Sequence, residues 1–95
     1  PEARLWRAEI KQHLGQLELA RQAYTALLRR LPRGASLLRL QAHLGLSEVL
    51  LAREYRTAGC AHAHRAGALV LQGYGDAVVG QRAALQERRC RRAGR

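Results

Sequence analysis

The segment from Gly15 to Pro32 constrains the fold more than any other part of the chain. Its apolar residues recur every three or four positions, as on one face of an α-helix, and they are Leu17, Ala20, Tyr24, Leu27, Leu28 and Leu31. Gly15 stands where a glycine commonly ends the preceding helix, and Pro32 cannot continue this one. The pattern therefore predicts a helix over 17–31 with a break on each side.

Similar apolar periodicity and helix-breaking residues along the rest of the chain predict four more helices, over 3–14, 37–52, 55–72 and 77–89. Ser36 and Asp76 are predicted N-caps of the third and fifth helices. The apolar stripe of the first helix comprises Leu5, Trp6, Ile10 and Leu14. Gly45 lies within the third helix, where a glycine costs about 1 kcal/mol relative to alanine, so we expect a close approach there. The short connections predict that successive helices pack antiparallel.

The composition favours the same fold class. Apolar residues make up 47% of the 95 residues, but phenylalanine is absent and aromatic residues account for only 4%. A core built mainly from leucine and alanine suits helices that lie closely against one another. The sequence thus predicts an all-α protein of about five helices, arranged as antiparallel helical hairpins.

The opening segment resembles a tetratricopeptide repeat, a helix–turn–helix unit of about 34 residues. The residues that match the spacing of the family's pattern are Gly15, Leu17, Ala20, Tyr24, Leu27 and Pro32. The first helix departs from that pattern, because Leu5 and Trp6, Arg7-Ala8 and Lys11 stand near its Trp, Leu-Gly and Tyr positions. A partial second unit is carried by Leu44-Gly45, Tyr55 and Ala58. The resemblance implies a short solenoid of stacked hairpins.

The pentatricopeptide family is a weaker competitor for the same segment. Its second helix also begins with Gly, followed by Ala and an aromatic residue at the spacing of Gly15, Ala20 and Tyr24. That resemblance implies binding of single-stranded RNA, with one base read by each repeat.

The tetratricopeptide resemblance also implies where a partner binds. In such solenoids the first helix of each pair lines a concave groove, so the first and third helices supply the contacts. The predicted groove residues are Glu9, Gln12, His13, Arg39 and His43. The alternative is that these are ordinary solvated side chains. A basic clamp for a peptide carboxylate is not recognisable.

The second candidate surface is basic. The chain has 17 Lys and Arg against 7 Asp and Glu, a net charge of +10, which attracts nucleic acid, anionic membranes or acidic protein segments. The clustered cations predicted to contact phosphate or an acidic partner are Arg4, Arg7, Lys11, Arg88, Arg89, Arg91, Arg92 and Arg95. We divide the chain into a helical-repeat domain, 1–87, and a flexible Arg-rich tail, 88–95. Because aromatic residues do not accompany these cations, backbone phosphate is the expected nucleic-acid contact.

The chemistry-bearing residues indicate neither an enzyme nor a cofactor. The sequence C-x-H-x-H at Cys60, His62 and His64 matches no common zinc motif, although Cys60 and His64 share a helix face. Cys60 and Cys90 make no disulfide framework, which favours a reduced, intracellular setting in the cytoplasm or an organellar matrix. Neither a phosphate loop nor a catalytic triad is apparent, and membrane insertion is not expected.

Two functions follow as hypotheses. The first is a non-enzymatic interaction or scaffold module of the tetratricopeptide type, which binds a helix or an acidic peptide in a larger assembly. The alternative is a structural, RNA-contacting component of a ribonucleoprotein such as an organellar ribosome. Neither hypothesis implies a small-molecule substrate.

Overall fold

In the computed structural model, which describes residues 1–93, the chain forms α-helices joined by short connections. Its helices are α1 (Glu2–His13), α2 (Leu17–Arg30), α3 (Ser36–Ala52), α4 (Arg56–Leu71) and α5 (Ala77–Ala93). Neighbouring helices along the chain pack against each other. The predicted fold class, an all-α stack of helical hairpins, is confirmed.

The helix ends follow local signals in most places. The predicted bounds of the first four helices agree with the structure to within one residue at each end. Gly15 adopts a left-handed φ of +76° after α1, as its predicted position at the helix end requires. Asp76 caps α5, because its Oδ1 accepts a hydrogen bond from the Val79 amide at 2.9 Å. The predicted cap at Ser36 is wrong, since Ser36 is the first residue of α3 and Ala35 precedes it without a side-chain bond.

The fifth helix is longer than predicted. It continues to Ala93, so the proposed boundary between residues 87 and 88 falls within α5. The described part of the Arg-rich segment is therefore helical. Arg95 lies outside the described residues.

The helices form two rows. Besides the contacts between successive helices, α1 contacts α3 and α3 contacts α5, whereas α2 and α4 do not approach each other. The first helix of each hairpin thus lies beside the first helix of the next, with α3 at the centre. This arrangement brings side chains from three different helices to one face.

The larger core cluster joins α1, α2 and α3. Its buried members are Leu5, Ala8, Ala20, Tyr24, Leu27, Ala42, Leu46, Val49 and Leu50. The Tyr24 ring lies directly against Gly45 of α3, where a Cβ atom would collide with the ring. The close approach expected at Gly45 is confirmed, and the closely packed group is an aromatic ring of the preceding helix.

The second half of the core joins α3, α4 and α5, and α4 and α5 contribute small residues to it. One cluster contains Leu40, Leu44, Ala66, Val79 and Ala83. Beside it, Leu51 and Ala63 pack near a disulfide between Cys60 and Cys90, whose Cα atoms are 5.7 Å apart. This bond was not predicted from the sequence, because the two cysteines are 30 residues apart and meet only when α4 and α5 pack together.

The predicted apolar stripe of α1 is only partly buried. Leu5 is in the core, but Trp6, Ile10 and Leu14 are exposed, with 68%, 43% and 68% of their surface accessible. Because each residue turns the helix by about 100°, Ile10 lies about 140° around α1 from Leu5. The core, formed with α2 and α3, covers only the Leu5 side of this stripe.

Candidate functional site

A polar cavity lies where α1, α3 and α5 meet. It has a volume of about 300 Å³ and is lined by Glu9, Gln12, His13, Glu48 and Arg82. The first three belong to α1, Glu48 to α3 and Arg82 to α5. We call this the α1–α3–α5 cavity. Its position at the row of first helices follows directly from the packing of α3 between α1 and α5.

Hydrogen bonds connect the cavity to the core. The buried Tyr24 hydroxyl donates to Gln12 Oε1 at 2.6 Å, and Gln12 Nε2 donates to Glu48 Oε1 at 3.0 Å. Arg82 donates to both carboxylate oxygens of Glu48, through Nη2 at 2.6 Å and Nε at 3.0 Å. A two-bond pair of this kind fixes the orientation of both side chains. The chain of bonds therefore ties four helices together and holds Gln12 and Glu48 in place.

The α1–α3–α5 cavity contains two carboxylates, Glu9 and Glu48, and one guanidinium group, Arg82. The hydrogen bonds from Arg82 to Glu48 raise the pKa of the Arg82 guanidinium, which stays charged. Burial, followed by the charges of Glu9 and Glu48, raises the pKa of Tyr24, so its hydroxyl remains a neutral donor. Glu9 makes no ion pair within 4.0 Å in the described part of the chain. The cavity thus offers the Glu9 carboxylate and the His13 ring to a bound polar group.

Two of the five predicted groove residues lie away from this cavity. Arg39 donates to the carbonyl oxygens of Pro32 at 2.9 Å and Arg33 at 3.1 Å, so it covers the loop after α2. His43 is buried, with 7% of its surface accessible. Helical phase explains both positions, because Arg39 and His43 lie about 180° and 140° around α3 from Glu48. The structure brings Glu9, Gln12 and His13 together and places Arg39 and His43 elsewhere, and the binding groove itself stays a prediction.

Sequence reasoning missed Glu48 and Arg82. Glu48 is the only acidic residue within the Leu-rich helix α3, and an acid in such a helix requires a partner. That signal was available from the sequence. The identity of the partner was not, because Arg82 is 34 residues away and reaches Glu48 only when α5 packs beside α3.

His43 instead forms a pair with His62 of α4. Their Nδ1 atoms are 2.9 Å apart and their ring centroids 5.1 Å apart. Burial, then the neighbouring His62, Arg65 and Arg39, lowers the pKa of His43 to about 4. Burial, followed by Arg65, also lowers the pKa of His62. Both rings are neutral at pH 7, and one Nδ1–H donates to the other Nδ1.

The remaining residues of the C-x-H-x-H segment have separate environments. Cys60 is bonded to Cys90, and His64 Nδ1 lies 3.7 Å from Glu87 Oε2. Cys60 and His64 line the same surface cavity, as predicted from their spacing, while His62 points toward α3. Within residues 1–93, no three His, Cys, Asp or Glu side chains converge to hold a metal ion.

The predicted basic residues form two groups. Arg4, Arg7 and Lys11 line a cavity of about 190 Å³ together with Ala23 and Ala26 of α2. We call this the α1–α2 basic cavity. The second group occupies the last turns of α5, and its exposed members are Arg88, Arg89, Arg91 and Arg92. Side chains near a helix C-terminus also complement the helix dipole.

No family model, curated protein or solved structure matches this chain. Among the described helices, none has both the length and the apolar composition to cross a bilayer.

Proposed function

We propose that this protein is a non-enzymatic interaction or scaffold module, which binds a helix or peptide of a partner along the face formed by α1, α3 and α5. The observation that carries the proposal is the α1–α3–α5 cavity, where Glu9, Gln12 and His13 meet Glu48 and Arg82. Side chains from three helices converge there. A partner that contacts this face touches both hairpins and α5 at once.

The tetratricopeptide type is the finer part of the proposal. It rests on the spacing of Gly15, Ala20 and Tyr24 and on the contact of each hairpin's first helix with the next. In this arrangement α2 supports the face without contacting the partner. The buried Tyr24 hydroxyl, bonded to Gln12, gives that support at the level of a single side chain.

The chemistry of the cavity favours a polar contact with the partner. The Arg82 guanidinium and the Glu48 carboxylate are already paired, so they offer fixed dipoles more than free charges. Glu9 can accept a hydrogen bond from a partner's amide or cationic group, and His13 can donate or accept one. The net charge of +10 attracts the acidic residues of a partner to the protein.

Quantitative affinity purification with a cavity variant tests this proposal. The double variant Glu9→Ala and His13→Ala removes the two side chains that are free to meet a partner and leaves the bonds of Gln12 intact. We expect a defined set of co-purifying proteins to decrease roughly tenfold or more, as for a central contact in an interface. The control, Glu2→Ala with His64→Ala, removes the same residue types outside the cavity. Equal recovery of every partner by both variants would contradict the proposal.

A second candidate function, contact with RNA in a ribonucleoprotein, is favoured by the end of α5. Arg88, Arg91 and Arg92 are exposed on consecutive turns there. Three arginines that face solvent along one helix end are suited to phosphate oxygens. This candidate does not exclude the first, because the α1–α3–α5 cavity is formed by other residues.

Salt dependence of RNA binding tests the second candidate. Binding through phosphate should weaken by orders of magnitude between 50 and 200 mM salt when roughly six or more contacts form. Replacing Arg88, Arg91 and Arg92 with alanine should abolish binding to a single-stranded RNA. The matched control removes three exposed arginines, Arg29 and Arg30 at the end of α2 and Arg33 in the loop that follows. If both triple variants lose binding equally, general charge is responsible and the α5 site is wrong.

A further inference from the structure

The outward side of α1 presents an apolar face. Trp6, Ile10 and Leu14 follow each other at intervals of four residues, so they lie along one side of the helix. Trp6 and Leu14 each expose 68% of their surface, and Ile10 exposes 43%. Single exposed apolar residues are ordinary on a protein surface, whereas a row of three large ones marks an interaction site. We call these three residues the outer face of α1.

A basic edge runs beside this apolar face. Arg7 lies about 60° around the helix from Ile10, on the side toward α2. It lines the α1–α2 basic cavity with Arg4 and Lys11, against the small side chains of Ala23 and Ala26. None of the three cations has an ion-pair partner within 4.0 Å among residues 1–93. The edge is therefore a row of uncompensated positive charge with room for an acidic side chain.

The opposite edge of the outer face has a different character. Glu2, Glu9 and His13 share that side of α1, and Glu9 and His13 also line the α1–α3–α5 cavity. A partner is thus offered cations along one edge and carboxylates along the other. This asymmetry favours one orientation of a partner and excludes one that is acidic on both sides.

We propose that the outer face of α1 docks an amphipathic helix of a partner protein, with an apolar side over Trp6, Ile10 and Leu14 and acidic residues along one edge. The acidic edge of the partner helix lies in the α1–α2 basic cavity. Helix-on-helix docking of this kind reads apolar anchors spaced three or four residues apart, and the charge edge adds specificity and association rate.

This surface adjoins the one in the proposed function along Glu9 and His13, which lie about 100° and 60° around α1 from Ile10. Gln12, which faces the α1–α3–α5 cavity, lies about 160° from Ile10. The apolar residues and the basic edge of the outer face therefore lie outside the cavity. Charge also argues against a second copy as the occupant, because both copies carry a net charge of +10 and the same basic edge.

Trp6, the only tryptophan, allows a direct test by fluorescence. The probe is a synthetic amphipathic helical peptide with leucines on one side and glutamates along one edge, and a second peptide has lysines in place of the glutamates. We expect the glutamate peptide to give a saturable blue shift of Trp6 emission, and the lysine peptide to give none. Equal binding of both peptides, or of neither, would overturn the proposal.

Variants separate the apolar and charged contributions. Ile10→Ser with Leu14→Ser should weaken binding of the glutamate peptide roughly tenfold or more, whereas Leu71→Ser should have no effect, since Leu71 is 90% exposed on α4. Arg7→Glu with Lys11→Glu should weaken binding of the glutamate peptide to a similar extent, and it should allow the lysine peptide to bind. Circular dichroism establishes that each variant keeps its helices. A Leu71→Ser effect as large as that of the Ile10 and Leu14 variant would contradict the assignment.

Three further measurements test whether a second copy, a lipid membrane or RNA covers the outer face of α1 instead. If Trp6 emission shifts with protein concentration alone and sedimentation shows a dimer, a second copy covers the face and the proposal is overturned. Vesicles of phosphatidylcholine with phosphatidylglycerol, or a single-stranded RNA, should leave Trp6 emission unchanged, and a shift that exceeds the peptide's would overturn it too. The variants at Ile10 and Leu14 and at Arg7 and Lys11 lie outside the α1–α3–α5 cavity, so failure of the proposed function leaves this result unaffected.

Discussion

The two halves of the molecule are held together by different means. In α1–α2–α3 the core is built from large side chains, among them Tyr24, Leu27 and Leu46, which are almost completely inaccessible. In α4 the buried positions are Gly59, Ala63, Ala66 and Gly67, and a disulfide joins α4 to α5. The first half is stabilised by interlocking side chains, and the second by close helix approach and a covalent bond.

This difference explains where the binding surfaces lie. Small side chains bury little apolar area, and burial stabilises by about 25 cal/mol for each Å². In the second half, the disulfide between α4 and the last turns of α5 offsets this smaller burial. The first half, with its larger core, carries the outer face of α1 and all of the α1–α3–α5 cavity except Arg82, which belongs to α5. The following predictions compare changes in the two halves.

Removal of the Tyr24 side chain has the largest expected effect. Tyr24→Ala should lower the free energy of unfolding by about 3–5 kcal/mol, because it leaves a large cavity beside Gly45. Tyr24→Phe should cost only about 0.5–1.5 kcal/mol, through the lost bond to Gln12. Urea denaturation measures both values. A loss below about 1 kcal/mol for Tyr24→Ala would show that this ring does not organise the first half.

Reduction of the disulfide is the corresponding change in the second half. Closing a loop of 30 residues should contribute about 3–4 kcal/mol to the free energy of unfolding. We expect urea denaturation with and without a reductant to show that loss, and Cys60→Ser with Cys90→Ser to reproduce it without reductant. Two reactive thiols in the unreduced protein would contradict the bond itself.

Acid should weaken the seam between α3 and α4. Burial lowers the pKa of His43 to about 4 from 6.5, so the unfolded chain binds a proton that the folded protein excludes. Stability is therefore complete above pH 6.5 and decreases as the pH falls toward 4, by up to about 3 kcal/mol. The variant His43→Gln with His62→Gln separates this effect from carboxylate titration, since its stability should change less over the same range. An identical pH profile for both proteins would refute the assignment.

A pair of glycines offers the smallest and sharpest comparison. Gly45→Ala places a Cβ against the Tyr24 ring and should cost about 1–3 kcal/mol through overpacking, despite the higher helix propensity of alanine. Gly80→Ala, in α5, meets nothing closer than a Val70 methyl at 3.8 Å, so it should stabilise by about 0.5–1 kcal/mol. Thermal unfolding monitored by circular dichroism measures both changes. Equal effects at the two positions would mean that packing around Tyr24 is loose.

The sequence predicted what depends on local rules. Gly15 at the end of α1 and Asp76 as a cap act through the neighbouring backbone, and Gly45 indicated a close approach because a glycine within a helix has a cost that packing must offset. The helix bounds followed from the same periodicity, except at the end of α5. There the Arg-rich composition suggested a flexible tail, although arginine has a high helix propensity and continues the helix.

The features that the sequence did not predict depend on which helices pack against each other. Trp6 has the spacing of a core residue, but the core formed with α2 and α3 does not cover it. The Glu48–Arg82 pair and the disulfide join residues far apart in sequence, so neither is visible before the stack is assembled. The same limit applies to His43, which the resemblance placed in the groove and α3's phase directs toward α4.

Hydrogen exchange before and after reduction tests most directly that the two halves are held by different means. We expect reduction of the disulfide to accelerate amide hydrogen exchange in the first turn of α4 and the last turns of α5. The acceleration should be roughly tenfold or more beyond any change in α2. Mass spectrometry of peptic fragments resolves these segments. If all five helices accelerate by the same factor, the molecule opens as one unit and the contrast between its halves is wrong.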